Sequence, residues 1–204
     1  YGAGPRMPRW MGTFHSIGAR LLRRMADRAG LPPDFVILDD DDALKLCKEV
    51  CKEAGVDETG LPPRALRGHI DRAKNQAILP EQYEGHDYIT DLVARLYPMY
   101  QERLKQLGAV DFGDLLLWPV VLCDRDEELR DLLGRRFQHV LVDEFQDANQ
   151  VQYRLLRHLA AGGRNLVVVG DDDQAIYGWR GADVSLILEF ERDWPDVRIV
   201  KLEE

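Results

Sequence analysis

Cysteine is scarce in this chain of 204 residues: Cys47, Cys51 and Cys123 are the whole set. An odd and sparse complement builds no disulfide framework and points to a reducing compartment. Cys47 and Cys51 stand at helical spacing, but no second Cys or His pair follows to complete a zinc site, which leaves core packing as their role. No run of about 18 apolar residues exists to span a bilayer. The opening Tyr1-Gly2-Ala3-Gly4-Pro5-Arg6 lacks the apolar stretch of a signal peptide. The expectation is a cytoplasmic protein without a membrane partner. Repeats and low-complexity tracts are missing. So is a Gly-x-x-x-x-Gly-Lys-Ser/Thr loop, whose amides and lysine would cradle β- and γ-phosphates. Positive charge is in the minority, with 27 Lys and Arg against 36 Asp and Glu and a net charge of -9. That balance excludes a protein that coats nucleic acid by charge alone.

What is present has the texture of one or two globular domains, 45% apolar and 31% charged. The charge is unevenly placed. Arg6, Arg9, Arg20, Arg23, Arg24 and Arg28 are opposed locally by Asp27 alone, a pattern that suits either a cationic track or one solvated helix face. Asp39 to Asp42 lack the alternating spacing of a calcium loop and read as a helix start. Trp10 to His15 read as a short strand and turn, followed by a helix with Ile17, Leu21, Leu22 and Met25 on one face. From Pro32 to about Phe137 the pattern is helical. Stripes run through Leu44, Cys47, Val50 and Cys51, through Leu66, Ile70 and Ala73, and through Ile89, Leu92, Val93, Leu96 and Tyr100. Pro98 predicts a kink or break near Tyr97, and Pro119 another after Asp111-Phe112-Gly113-Asp114.

From His139 the periodicity becomes strand, helix, strand. His139 to Val142 and Asn165 to Gly170 are the strands. Val151, Leu155, Leu156 and Leu159 give the helix stripe, with Asp147 and Gln150 as a capping box and Gly162-Gly163 as the stop. A right-handed βαβ crossover makes the strands parallel and brings their ends to one sheet edge. A helix over about Asp183 to Phe190 and a strand over Val197 to Leu202 follow. The simplest architecture is α/β: a parallel sheet made from residues 1–16 and 138–204, interrupted by a mostly α-helical insertion over 17–137. The chain reads as a piece of a longer protein.

Each strand of the βαβ unit runs into acid, Asp143-Glu144-Phe145-Gln146-Asp147 after the first and Asp171-Asp172-Asp173-Gln174 after the second. Ligands of open α/β sheets sit beyond the carboxyl ends of the strands, where such acids reach a phosphate and its metal. Phosphoryl transfer to water needs a divalent ion and a group that orients the water. Asp143 suits the first task, holding magnesium directly or through water, and Glu144 the second. The pair by itself equally fits acids that begin a helix. Gln174 can donate a hydrogen bond to a terminal phosphate and so sense it. Tyr177 and Trp179, beside Arg180 and flanked by Gly178 and Gly181, offer flat faces on which bases stack, or else serve as core or interface aromatics.

Val142-Asp143-Glu144-Phe145-Gln146-Asp147 followed by Val169-Gly170-Asp171-Asp172-Asp173-Gln174-Ala175-Ile176-Tyr177-Gly178-Trp179-Arg180-Gly181-Ala182 resembles helicase motifs II and III of the UvrD/Rep/PcrA group of superfamily 1 DNA helicases. Gly12-Thr13-Phe14-His15-Ser16 resembles motif Ib, and Asp111 to Leu116 is similar to the segment that precedes motif II. Ala175 stands where the family often has serine. The resemblance implies a RecA-like first motor domain of the P-loop NTPase type with a helical insertion, ATP and Mg2+ as nucleotide and cofactor, and movement 3′ to 5′ on single-stranded DNA. It implies Asp143 as magnesium ligand, Glu144 as catalytic base and Gln174 as both catalytic and nucleotide-binding through the γ-phosphate. Thr13, Phe14, His15, Tyr177 and Trp179 would contact DNA, with Arg180 linking DNA to nucleotide state. Single-stranded DNA, single/double-strand junctions, and repair or replication proteins are the implied partners. Because the phosphate loop is missing and the family's loop precedes residue 1, the chain alone is not expected to hydrolyse ATP efficiently. Two rivals are a metal-dependent nuclease using the acidic clusters as a two-metal site and a non-enzymatic module that docks DNA or a protein.

Overall fold

A computed structural model describes residues 8–57, 59–161, 165–171 and 185–201. The chain divides into two compact units between Leu129 and Arg130. Among the described residues no helix is long and apolar enough to cross a membrane.

The first unit is helical. Helix α1, Phe14–Arg24, begins where Thr13 Oγ1 accepts the amide of Ser16 at 3.2 Å. This corrects the strand expected over Trp10 to His15. The reciprocal bond from Ser16 Oγ to the Thr13 carbonyl, 2.9 Å, satisfies orphan groups of the first turn, and no described strand lies beside this tract to pair with it. Gly12 precedes the cap at φ 152°, and a Cβ there would fall 2.3 Å from Ser16 Oγ. Leu21, Leu22 and Met25 are buried as the periodicity predicts. Gly18 lets α1 approach helix α5, Asp114–Arg125, so closely that a Cβ would sit 2.3 Å from the Leu115 carbonyl oxygen.

Helix α2, Asp40–Glu53, starts at Asp39, whose carboxylate accepts the Asp42 amide; the aspartate run is a helix start. With α3, Pro63–Asn75, and α4, Tyr88–Gln106, it encloses a core containing Cys47, Cys51, Leu66, Ile70, Val93, Leu96 and Tyr100. Both cysteines of the pair are core residues. Pro98 and Pro119 lie inside α4 and α5 and neither ends its helix. Flanking core residues explain the persistence: Leu96, Tyr97 and Tyr100 around Pro98, and Leu117 and Val120 around Pro119, are all buried. A short parallel pair, β1 (Val36–Ile37) with β2 (Ala109–Val110), interrupts the helical pattern expected across this region. Two residues per strand are too few for period-2 alternation to show. Helix α6, Glu127–Arg136, spans the division between the units.

In the second unit β3, His139–Val142, pairs in parallel with β4, Asn165–Val168, from His139 opposite Asn165 to Val142 opposite Val168. Helix α7, Gln150–Ala160, is the crossover, as the βαβ pattern predicts. Its capping box is Asn149 with Gln152, not Asp147 with Gln150. The Asn149 side chain accepts the Gln152 amide and the Gln152 side chain accepts the Asn149 amide, both at 3.1 Å. A single 3-10 turn, Phe145–Asp147, occupies the earlier positions and shifts the helix start by two residues. Gly162 and Gly163 lie outside the described residues. Helix α8, Ser185–Asp193, covers much of the expected span, and its Phe190 packs edge-on to Phe145 with ring centroids 5.6 Å apart. Residues 197–201 form no strand, since no described strand is hydrogen-bonded to them, and Leu202, the end of the expected strand, lies outside the described residues. The β3/β4 strands are covered unevenly: Leu141 is 77% exposed and Val167 50%. The strand before Asp143 is therefore not buried on both faces. One crossover helix shields one face of a parallel pair, and the other needs a further layer.

Candidate nucleotide site and nucleic-acid face

The parallel register sets the acids that follow β3 and β4 at the same end of the sheet. The pairing continues past the strands, with the Val169 amide donating to the Val142 carbonyl at 2.8 Å and the Phe145 amide to the Val169 carbonyl at 2.9 Å. Asp143 and Glu144 emerge there, both exposed. Asp143 Oδ1 accepts the Glu144 amide at 3.0 Å. Glu144 itself adopts left-handed backbone, φ 53° and ψ 43°, which a non-glycine residue holds only when its surroundings impose it. The turn reverses the chain so that Phe145 enters the core while the carboxylate stays outside.

Gln146 is the residue that sequence reasoning missed in this half. Its side chain is 2% exposed, and its amide nitrogen donates to Glu144 Oε2 at 2.6 Å. Its carbonyl oxygen accepts the Asp171 amide at 3.0 Å. One buried amide thus fixes the Glu144 carboxylate and ties it to the chain leaving β4. Gly170 makes room: a Cβ there would meet Gln146 Oε1 at 3.0 Å. A neutral polar side chain two positions after an acid pair, in a segment otherwise turning into the core, was the available signal.

Among the described residues no three carboxylates or imidazoles converge as a metal cage. The donors present, Asp143 beside Glu144 with Asp171 at the same edge, suit a magnesium ion, which keeps several waters and leans on substrate phosphates. Gln174, Tyr177, Trp179 and Arg180 lie outside the described residues.

The first unit gathers the other expected contacts. Thr13 caps α1, and Phe14 and His15 occupy its first turn. The His15 ring stacks on Phe112, centroids 4.0 Å apart and planes 19° from parallel. Burial lowers the His15 pKa to about 4, so the imidazole is neutral at pH 7. Phe112 is 54% exposed. An exposed aromatic between two aspartates in a turn is the signal that could have singled it out. On the far face of α1 the arginines are not simply solvated: Arg20 and Arg24 place their guanidinium carbons 4.3 and 4.7 Å from the Trp10 ring centre, and Arg23 lies 3.6 Å from that of Phe35.

Comparison with known proteins decides the family. Residues 6–195 match the UvrD/REP helicase N-terminal domain. The chain belongs to that family. It is 43% identical over 197 residues to the ATP-dependent DNA helicase PcrA of Staphylococcus epidermidis, and the same figures hold for the PcrA of Staphylococcus aureus. Each alignment covers 96% of this chain but 27% of the relative. This UvrD/REP domain therefore spans about a quarter of the length of the curated relatives it matches. The resemblance carried by Val142 to Asp147 and Val169 to Ala182 holds across almost the whole chain.

Proposed function

We propose that the chain forms part of the first motor domain of an ATP-dependent DNA helicase that moves 3′ to 5′ on single-stranded DNA. Residues 1–16 and 138–204 would belong to the partial RecA-like motor domain, with β3 and β4 as its strands, and 17–137 would be its helical insertion. The observation that carries the reading is the edge shared by β3 and β4, where Gln146 holds the Glu144 carboxylate 2.6 Å from its amide in a chain of the UvrD/REP family.

Asp143 is the residue that would hold magnesium, through water or directly. The ion, when bound with ATP, neutralises charge between phosphates. Glu144 orients the attacking water and takes its proton; the bond from Gln146 restricts the carboxylate to one direction, as such a base requires. Gln174 would read the γ-phosphate. Thr13, Phe14 and His15, with Phe112 added to the stack, and Tyr177, Trp179 and Arg180 would meet the DNA strand and its junctions with duplex. Flat, neutral rings suit this task because every base has a π-face.

The test is ATP hydrolysis by the intact parent protein, with and without single-stranded DNA. Glu144→Gln is expected to abolish DNA-stimulated turnover, by at least about 100-fold, while nucleotide binding survives. Turnover indifferent to Glu144 would overturn the assignment. The 204-residue chain by itself is expected to show no DNA-stimulated turnover, since it contains no phosphate-binding loop.

A further inference from the structure

The stack of Phe112 on His15 stands over a buried ionic cluster that the motor chemistry does not use. Lys74, on α3, is wholly buried, and its ammonium lies 2.7 Å from Asp111 Oδ2 and 2.8 Å from Asp114 Oδ1. These two aspartates bracket Phe112 and Gly113, and each caps the other: the Asp114 amide donates to Asp111 Oδ1 at 3.0 Å and the Asp111 amide to Asp114 Oδ2 at 3.2 Å. Tyr100 donates its hydroxyl to Asp111 at 3.0 Å, and the Gln101 amide nitrogen reaches both oxygens of Asp114 at 3.1 Å. Gly113 rests on the lysine stem so tightly that a Cβ would fall 2.9 Å from Lys74 Cδ.

A turn that carries an exposed aromatic is ordinarily free to change its direction. Here both residues flanking Phe112 and Gly113 are pinned by charge inside the unit, and one lysine satisfies the two carboxylates together. Burying three charges is a poor way to gain stability, since apolar residues of similar volume commonly do as well or better. A buried network in which the ammonium and both carboxylates are paired does specify one geometry, even though the Gln101 carbonyl oxygen at its margin accepts no bond. We infer that Lys74 is a positioning residue for nucleic-acid binding: through Asp111 and Asp114 it holds the Phe112 ring against His15 as a rigid surface for a single-stranded base. The inference rests on the DNA reading of this face and adds to it the residue that sets the ring's aim.

The experiment measures binding of the intact parent protein to a short oligothymidylate carrying one 2-aminopurine, by anisotropy and by the fluorescence quenching that stacking causes. Phe112→Ala is expected to weaken binding about 10-fold, the scale of one lost base stack, and to relieve the quenching. Lys74→Met is expected to do the same, with the slope of affinity against salt unchanged because the buried amine meets no phosphate. The double variant is expected to bind no worse than Phe112→Ala alone, since the lysine acts through the ring. Should Lys74→Met fail to fold, Asp111→Asn decides the matter: it keeps the oxygen that caps Asp114, weakens the hold of Lys74, and should lower both affinity and quenching to a smaller degree. Additive losses in the double variant, or quenching that survives Lys74→Met or Asp111→Asn, overturn the inference and leave the DNA reading standing. No effect of Phe112→Ala, or no binding by the wild type, overturns the DNA reading of this face and the inference with it.

Discussion

His15 shows what burial does to a single titratable group. Its pKa falls from the ordinary 6.5 to about 4. A base whose pKa is depressed in the folded state contributes stability that is complete above about 6.5 and is lost as the pH falls toward 4, here ~3 kcal/mol. Asp71 works the other way, since burial first, and then the nearby Asp111 charge, raises its pKa to about 6. Its protonated form therefore contributes stability that is complete below about 3.8 and is lost as the pH rises through about 6. The two slopes oppose each other in the wild type, so the histidine's share is seen by difference. His15→Gln is expected to flatten the loss of stability between pH 6.5 and 4 relative to wild type, measured by urea unfolding across that range. A His15→Gln curve parallel to the wild-type curve would show that the ring is protonated in the folded protein at no cost.

At the scale of elements, the reading from sequence succeeded where periodicity was long and failed where a local cap or a short pairing decided. The stripes of α2, α3 and α4 and the βαβ unit were legible because several apolar residues recur at one period. The start of α1 was not, because Thr13 and Ser16 cap each other in a stretch whose Trp10, Met11 and Phe14 favour a strand. The start of α7 was displaced for a related reason: two acid or amide residues stand three before a glutamine, and the left-handed turn at Glu144 selects the second. The Asp143 and Glu144 edge was legible from composition at strand ends. Gln146 and Phe112 were not, since their meaning comes from partners at Asp171 and His15 that no spacing rule brings together. Pro98 is the element-scale anomaly. It is exposed and inside α4, where it lacks the amide that would bond to the preceding turn. Pro98→Ala is expected to raise stability by about 1–3 kcal/mol and the melting temperature by several degrees, read by calorimetry. No change would mean that the surrounding chain has already adapted to the ring.

At the scale of the whole molecule, the described residues leave a ridge of apolar side chains uncovered on the second unit. Leu141 and Val167 are direct cross-strand partners and both are exposed. Exposed apolar strand faces promote association. Leu141→Thr with Val167→Thr places strand-favouring β-branched side chains at both positions and is expected to lower self-association and dye binding by the purified chain, with little change in melting temperature. Sedimentation of the two forms at equal concentration checks this, and unchanged association would place the sticky surface elsewhere. The cysteines have a quite different practical consequence. All three are buried, and burial above all pushes the Cys47 thiol up to about 12, so little thiolate is present near neutral pH. A cysteine newly placed on the surface would then be the fastest thiol to react, so dyes and spin labels could be attached at one chosen point while the native sequence is kept intact.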